Sequence, residues 1–346
     1  MAGTEHQVAY LTHRFFEGEP RREKMGTVPL WNLAHTLKRL RTSADLTIAY
    51  ADRISARLWF GAEYLAVPEW IGSILAVPEE PDKLARRNRS LREDLRIVRR
   101  NDLRTEVTHA EADFERFYHT MYVPFIRNRH GDQAVIRNVY WMRRIFRRGG
   151  LIWIRHNGRP IAGALFEQRN QVLGAAVFGT ADGEWTPVKM GALAALYFCM
   201  VKYAKEFHCT LIDLDGCRPS LADGPLRYKR KWGMNLVEKQ DTWYDFRVHW
   251  NNLNDVVAHF LSHTPLIFRD SDGLSAIKTI HQEEPASDID VQNVHHTLWV
   301  PGLRRLYLAA VSGWRTDQQA SPQTVLLNPT AMGDFDPRML RSLWNR

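Results

Sequence analysis

The chain has 346 residues, enough for one large domain or two of ordinary size, and its 45% apolar and 25% charged content is typical of a globular protein. A net charge of +8 favours an acidic partner: nucleic acid, a nucleotide-bearing substrate or an anionic surface. Only three cysteines occur, Cys199, Cys209 and Cys217, which excludes a disulfide framework or a spaced-cysteine zinc site and leaves reduced thiols as the expected state.

Residues 1–20 read as a ragged start with no signal peptide, and no apolar run reaches the ~18 residues of a membrane span. The expected location is cytoplasmic. Residues 29–40 carry Leu30, Leu33, Leu37 and Leu40 at helical spacing, with Pro29 suited to the first position. A short apolar run follows at 46–50. Residues 57–67, with Leu58, Phe60, Leu65 and Val67, read as a strand pair or as part of one helix. Another apolar run spans 70–77 and ends at Pro78.

Residues 83–100 predict an amphipathic basic helix. Arg86, Arg87, Arg89, Arg92, Arg96, Arg99 and Arg100 surround a thin apolar line of Leu91, Leu95 and Val98. Such a face is either solvated or a cationic ridge for phosphates. A strand is expected over 103–107. A helix is expected over 110–127, burying Phe114, Phe117, Tyr118, Met121 and Val123, with Pro124 stopping or bending it. A further helix, 140–148, ends at Gly149-Gly150, and a domain boundary is placed there.

The clearest patterning comes next. Strands are expected over 151–155, 160–167 and 171–180, the first two joined by an Asn157-Gly158 hairpin. A helix over 188–207, a strand over 210–214, a helical turn over 226–232 and a strand over 236–246 follow. This β-β-β-α-β-α-β order defines an α/β fold with a mixed sheet flanked by helices. Residues 256–261 read as a helix and 273–290 as a polar loop. Residues 303–311 and 324–327 read as strand or helix.

The chemistry is expected where the strand at 210–214 ends. Asp213 and Asp215 share a face there, being two positions apart. Gly216, Asp223 and Gly224 break the chain, and Arg227-Tyr228-Lys229-Arg230-Lys231-Trp232-Gly233 sets four cations among two rings. A loop at a strand's carboxyl end is a common ligand site in α/β proteins, and cations beside rings suit a phosphate-bearing ligand. The competing reading is a solvated strand–loop–helix junction.

This stretch resembles the GNAT superfamily, in the branch that holds the FemAB-type aminoacyl transferases. The matching residues are Asp213 to Gly216, Asp223-Gly224 and Tyr228-Lys229-Arg230-Lys231-Trp232-Gly233. A looser match covers residues 84–244, including the basic helix. The resemblance implies a GNAT-like fold, with two such subdomains. The expected divisions are 1–148 as a degenerate first subdomain, 149–270 as the catalytic one and 271–346 as an extension. It also implies an acyltransferase that forms an amide by moving an aminoacyl group from aminoacyl-tRNA to an amine of a small molecule or peptide.

On that reading Lys229, Asp215 and Tyr228 are the catalytic candidates. Lys229 would neutralise charge at the donor phosphate or oxyanion, Tyr228 would stack on the terminal adenine, and Asp215 would orient or deprotonate the amine. Arg218, Arg227, Arg230, Lys231, Asp213, Trp185 and Lys189 are candidates for binding donor or substrate. Acyl-CoA is the alternative donor. Against it, the turn Trp185-Thr-Pro-Val-Lys-Met-Gly-Ala192 lacks the expected glycine pattern, and Pro187 removes a backbone donor. A non-catalytic nucleic-acid-binding module built on the basic helix is the alternative from another class. His130, His208 and His295-His296 have no spaced partners, so neither a metal nor another cofactor is expected.

Overall fold

The computed structural model describes residues 23, 26–86, 88–131, 134–251, 254–280, 290–310 and 321–327. The expected ragged start at 1–20 lies outside these, as does Arg87. The strands are β1 (Leu46–Asp52), β2 (Leu65–Pro68), β3 (Ile71–Ala76), β4 (Arg104–Thr108), β5 (Gly149–His156), β6 (Arg159–Arg169) and β7 (Val172–Thr180). After them come β8 (Leu211–Cys217), β9 (Asn235–Glu238), β10 (Tyr244–Trp250), β11 (Leu266–Asp270), β12 (Gly273–Ile280), β13 (Leu303–Ala310) and β14 (Thr324–Leu327). They form two seven-stranded mixed sheets in an α/β protein.

The chain divides into two compact units. The first takes residues 1–71, 216–227 and 236–346; the second takes 72–215 and 228–235. This differs from the expected divisions at 148 and 270, and the sheets give the reason. β4 pairs along β5 from Arg104↔Arg155 to Thr108↔Leu151, so the chain on both sides of Arg148 shares one sheet. β1 pairs along β10 from Leu46↔Trp250 to Asp52↔Tyr244, which ties the two ends of the sequence into one unit. The basic helix accordingly belongs to the second unit.

In the first unit the sheet order is β1-β10-β2-β11-β12-β13-β14. Phe246, Val248 and Trp250 alternate onto one face of β10 and are buried, with Phe268 and Tyr307 in the same core. The helix Asp255–His263 lays Val257, Phe260 and Leu261 on that core, and the Asn254 side chain caps it by accepting from the Val257 N–H at 3.0 Å. Residues 273–280, expected as loop, form β12; the remainder of that expected loop, 281–289, lies outside the described residues. The polar composition misleads because the buried hydroxyls are satisfied: Ser275 donates to Asp270 at 3.2 Å and Thr279 to the Ala258 carbonyl at 2.5 Å. The single strand expected over 236–246 is two, β9 and β10, in different sheets. A turn closed by the Thr242 hydroxyl on the Lys239 carbonyl, 3.1 Å, separates them.

The other sheet has the order β4-β5-β6-β7-β8-β3-β9. Asn157 (φ 50°) and Gly158 (φ 75°) are both left-handed, the geometry that lets a two-residue turn match the strand twist. The core holds Phe114, Phe117, Phe146, Trp153 and Leu165, with the Phe117 and Trp153 rings meeting edge-on at 6.2 Å. The helix expected over 110–127 runs as Glu111–Phe117, a wide π turn Tyr118–Tyr122, and Val123–His130. Pro124 falls in the first turn of the last piece, directly after the wide turn. Gly179 of β7 backs onto this wide turn: a Cβ there would lie 2.7 Å from the Tyr122 backbone nitrogen.

The helix expected over 188–207 is also divided, into Thr186–Lys189 and Ala192–Glu206. Gly191 at the junction has φ 98°, and a Cβ on it would meet Val98 at 3.2 Å and Ile97 at 3.3 Å. The basic helix, Arg89–Arg100, therefore packs directly on this turn. Asn88 caps that helix through the Leu91 N–H at 2.7 Å, Leu91 and Leu95 are buried, and its arginines face outward.

Candidate functional site

β7 and β8 are parallel, but their ladder covers only Val172↔Leu211, Leu173↔Ile212 and Gly174↔Asp213. Beyond that point the two strands run on to Thr180 and Cys217 with no bond between them. The sheet thus splits at its middle. Asp213 and Asp215 stand at the point of the split.

Asp215 adopts a left-handed backbone, φ 62°, uncommon outside glycine, asparagine and aspartate. Three contacts hold it so. Its N–H donates to the Asp213 carboxylate at 2.8 Å. Its carbonyl accepts from the Ser73 hydroxyl at 2.7 Å and from the Lys229 ammonium at 3.0 Å. Lys229 also donates to Ser73 at 3.1 Å, and Ser73 (0% exposed) and Lys229 (6% exposed) are both buried. Surrounding structure that over-determines a strained residue is a recurrent property of functional sites.

The Asp215 carboxylate points the other way, to the surface. It meets the Arg137 guanidinium at 3.3 Å, with the two side chains 35% and 41% exposed. Arg137 was not among the candidates read from the sequence. Its backbone is clamped from both sides: its N–H donates to the Tyr122 hydroxyl at 3.0 Å, and its carbonyl accepts from the Tyr118 hydroxyl at 3.2 Å. Its guanidinium lies 4.8 Å from the centre of the Trp141 ring, and Trp141 and Tyr140 are both exposed. The sequence signal was slight, a cation just before two exposed aromatics at the start of the helix Val139–Arg148.

The other expected residues fall into three groups. Tyr228 packs edge-on against Tyr197 at 5.3 Å, and the Lys231 ammonium sits 4.0 Å from its ring centre. Lys231 pairs with Asp94 of the basic helix, and its carbonyl accepts from Asn88 at 2.8 Å. Burial pushes the Tyr228 phenol well above the ordinary tyrosine range, and the charge of Asp94 and the neighbouring Tyr197 add to that. Arg230 is half-buried beside this group. Trp185 and Lys189 form a second, exposed group, where Trp185 stacks on Phe125 at 6.0 Å with Arg129 5.8 Å from its ring. Arg218 and Arg227 belong to the first unit; Arg218 lies 4.0 Å from the Trp70 ring centre and Arg227 is exposed.

Among the described residues no three His, Cys, Asp or Glu side chains gather as metal ligands would, and no helix is long and apolar enough to cross a membrane. His295 is engaged with the Thr324 hydroxyl at 2.7 Å and stacks on Trp299 at 5.0 Å.

No family model and no curated protein matches the chain. Among solved structures it is similar to FemX, at 12% identity over 64% of this chain and 76% of that one, with a TM-score of 0.41. It is also similar to the C-terminal domain (DUF2156) of a putative lysylphosphatidylglycerol synthetase from Agrobacterium fabrum, at 9% identity over 66% and 75% of the two chains, TM-score 0.38. A GCN5-related N-acetyltransferase from Sphaerobacter thermophilus is similar at 12% identity over 59% of each chain, TM-score 0.35.

Proposed function

We propose that the chain is an N-acyltransferase that moves an aminoacyl group from aminoacyl-tRNA onto an amine of a small molecule or peptide. The observation that carries this reading is the Asp215–Arg137 pair, held where β7 and β8 part. Transfer of this kind needs the amine aligned on the ester carbonyl and charge placed where the carbonyl oxygen gains it. A carbon–nitrogen bond forms, the carbon–oxygen bond to the ribose breaks, and the proton leaving the amine ends on the ribose oxygen. Asp215 is assigned to the amine, as hydrogen-bond acceptor and orienting group. Arg137 is assigned to the donor.

The surroundings support a nucleic-acid donor. Arg137 with Trp141 and Tyr140 combines a cation with exposed rings, the surface that unpaired bases and phosphates favour. The outward arginines of Arg89–Arg100 and Arg230 add phosphate contacts along the same unit. Lys229 acts through Asp215, fixing its carbonyl, and Tyr228 acts through Lys231; both are positioning residues. A charged-tRNA donor sets the reaction in the cytoplasm.

A second reading, with acyl-CoA as donor, is favoured by one observation. The helix Ala192–Glu206 opens on left-handed Gly191 with no side-chain cap, which suits a phosphate group. Mass spectrometry of the products separates the two. The pure protein is supplied with a pool of amines and either charged tRNA or acyl-CoA, with and without ribonuclease. An amide that forms from charged tRNA and vanishes with ribonuclease supports the first reading. An amide that needs acyl-CoA and ignores ribonuclease supports the second, and salt-dependent RNA binding with no amide from either donor overturns both.

A further inference from the structure

The first unit holds an open pocket of about 480 Å³, a size common for small-molecule sites. Four arginines line it, Arg53, Arg57, Arg247 and Arg269, against three carboxylates, Glu238, Asp245 and Asp270. Asp245 lies at the centre with 3% of its side chain exposed. Its Oδ2 accepts from Arg269 at 2.6 Å and stands 3.8 Å from Arg247, while its Oδ1 stands 3.9 Å from the Arg53 Nε. Arg269 reaches Glu238 at 3.3 Å with another nitrogen.

These arginines are under-used. Arg53 Nε, Arg247 Nε and Arg269 Nη2 are buried and have no hydrogen-bond partner among the described residues, nor does Asp245 Oδ1. Buried donors left unpaired are costly, and proteins rarely keep several together without a use. Arg247 is held below the ordinary arginine range by its burial, with Asp245 opposing the shift and Arg269 adding to it, so the site strains to hold this much positive charge. The remaining wall is apolar: Ala56, Phe60, Leu65 and Phe268 are buried, and all line the cavity.

We infer that this cavity binds a small ligand carrying an oxyanion head and a short apolar body, the head held by Arg53, Arg247 and Arg269. The guanidinium fork matches carboxylate and phosphate oxygens two at a time, and the unpaired N–H groups supply the donors. The excess of one arginine over the carboxylates is met by one negative charge, which favours a carboxylate over a phosphate dianion. The site is independent of the acyl-transfer reading, since all its lining residues belong to the first unit.

The test is a thermal-shift and calorimetric titration of the full chain with sodium benzoate and with inorganic phosphate, against sodium chloride at matched ionic strength. The wild type is expected to bind one probe saturably. Arg247→Gln and, at the more exposed rim, Arg53→Gln are each expected to weaken binding roughly tenfold or more, the scale of a lost charge-assisted bond. Circular dichroism checks both folds, and Arg53→Gln decides the question if Arg247→Gln does not fold. Saturable binding of benzoate alone identifies a carboxylate ligand; saturable binding of phosphate identifies a phosphate one. The inference is overturned if neither probe exceeds chloride, or if binding is undiminished in the folded variants.

Discussion

Asp245 sits among three arginines with 3% of its side chain exposed, whereas Asp215, which meets Arg137, is 35% exposed. Both are acids paired with guanidinium groups, yet the physics differs. The Asp245 carboxylate is almost wholly withdrawn from solvent, so its charge is screened less and each missing partner is felt. At Asp215 solvent screens the pair, which contributes little to folding and is available to a ligand. What holds Asp215 in place is instead its backbone, pinned by Ser73 and Lys229 from the buried side. The protein thus holds one acid by its side chain and the other by its backbone.

The sharpest way to break this contrast is Asp245→Asn. It leaves Arg53, Arg247 and Arg269 without their central countercharge, and a loss of about 3–5 kcal/mol is expected in urea unfolding. A loss under ~1 kcal/mol, the exposed-pair scale, would show that the arginine cluster does not depend on it. Lys229→Met comes next. Two buried hydrogen bonds go, so stability should fall by roughly 1–3 kcal/mol. The left-handed Asp215 turn loosens with it, and amide formation should fall by more than the folded fraction does.

Tyr228→Phe tests the buried side through pH. The folded-state phenol ionises well above the unfolded value of about 10, so its contribution is complete below that pH and lost as pH climbs above it. The wild type should therefore lose stability above about pH 10, and Tyr228→Phe should show a shallower alkaline decline. An unchanged slope would place the phenol in solvent. Arg137→Ala should have the smallest effect on stability, at most about 1 kcal/mol by thermal unfolding, while it lowers transfer activity.

The hairpin at Asn157-Gly158 and the β-β-β-α-β order were legible because turn chemistry and strand alternation are local. The division into units was not, because β1 pairs with β10 across most of the sequence. The stretch 227–233 stood out for its charge, but four cations in five positions do not reveal that Lys229 is buried on Ser73 or that Lys231 is spent on Asp94. Those partners lie far upstream. Arg137 was missed for the same reason: what marks it is its meeting with Asp215 in space, which no spacing near residue 137 encodes. The arginines of the cavity are scattered singly along the chain and acquire meaning only when β2, β10 and β11 bring their neighbours together.

The acyl-transfer account is tested most directly by the rate of amide formation in Asp215→Asn, supplied with charged tRNA and the acceptor that wild type uses. Asparagine tolerates the left-handed backbone, so thermal unfolding should stay near wild type. The account predicts a rate loss of roughly 10²-fold or more, the scale of one removed polar catalytic group. A wild-type rate in the folded variant would contradict it.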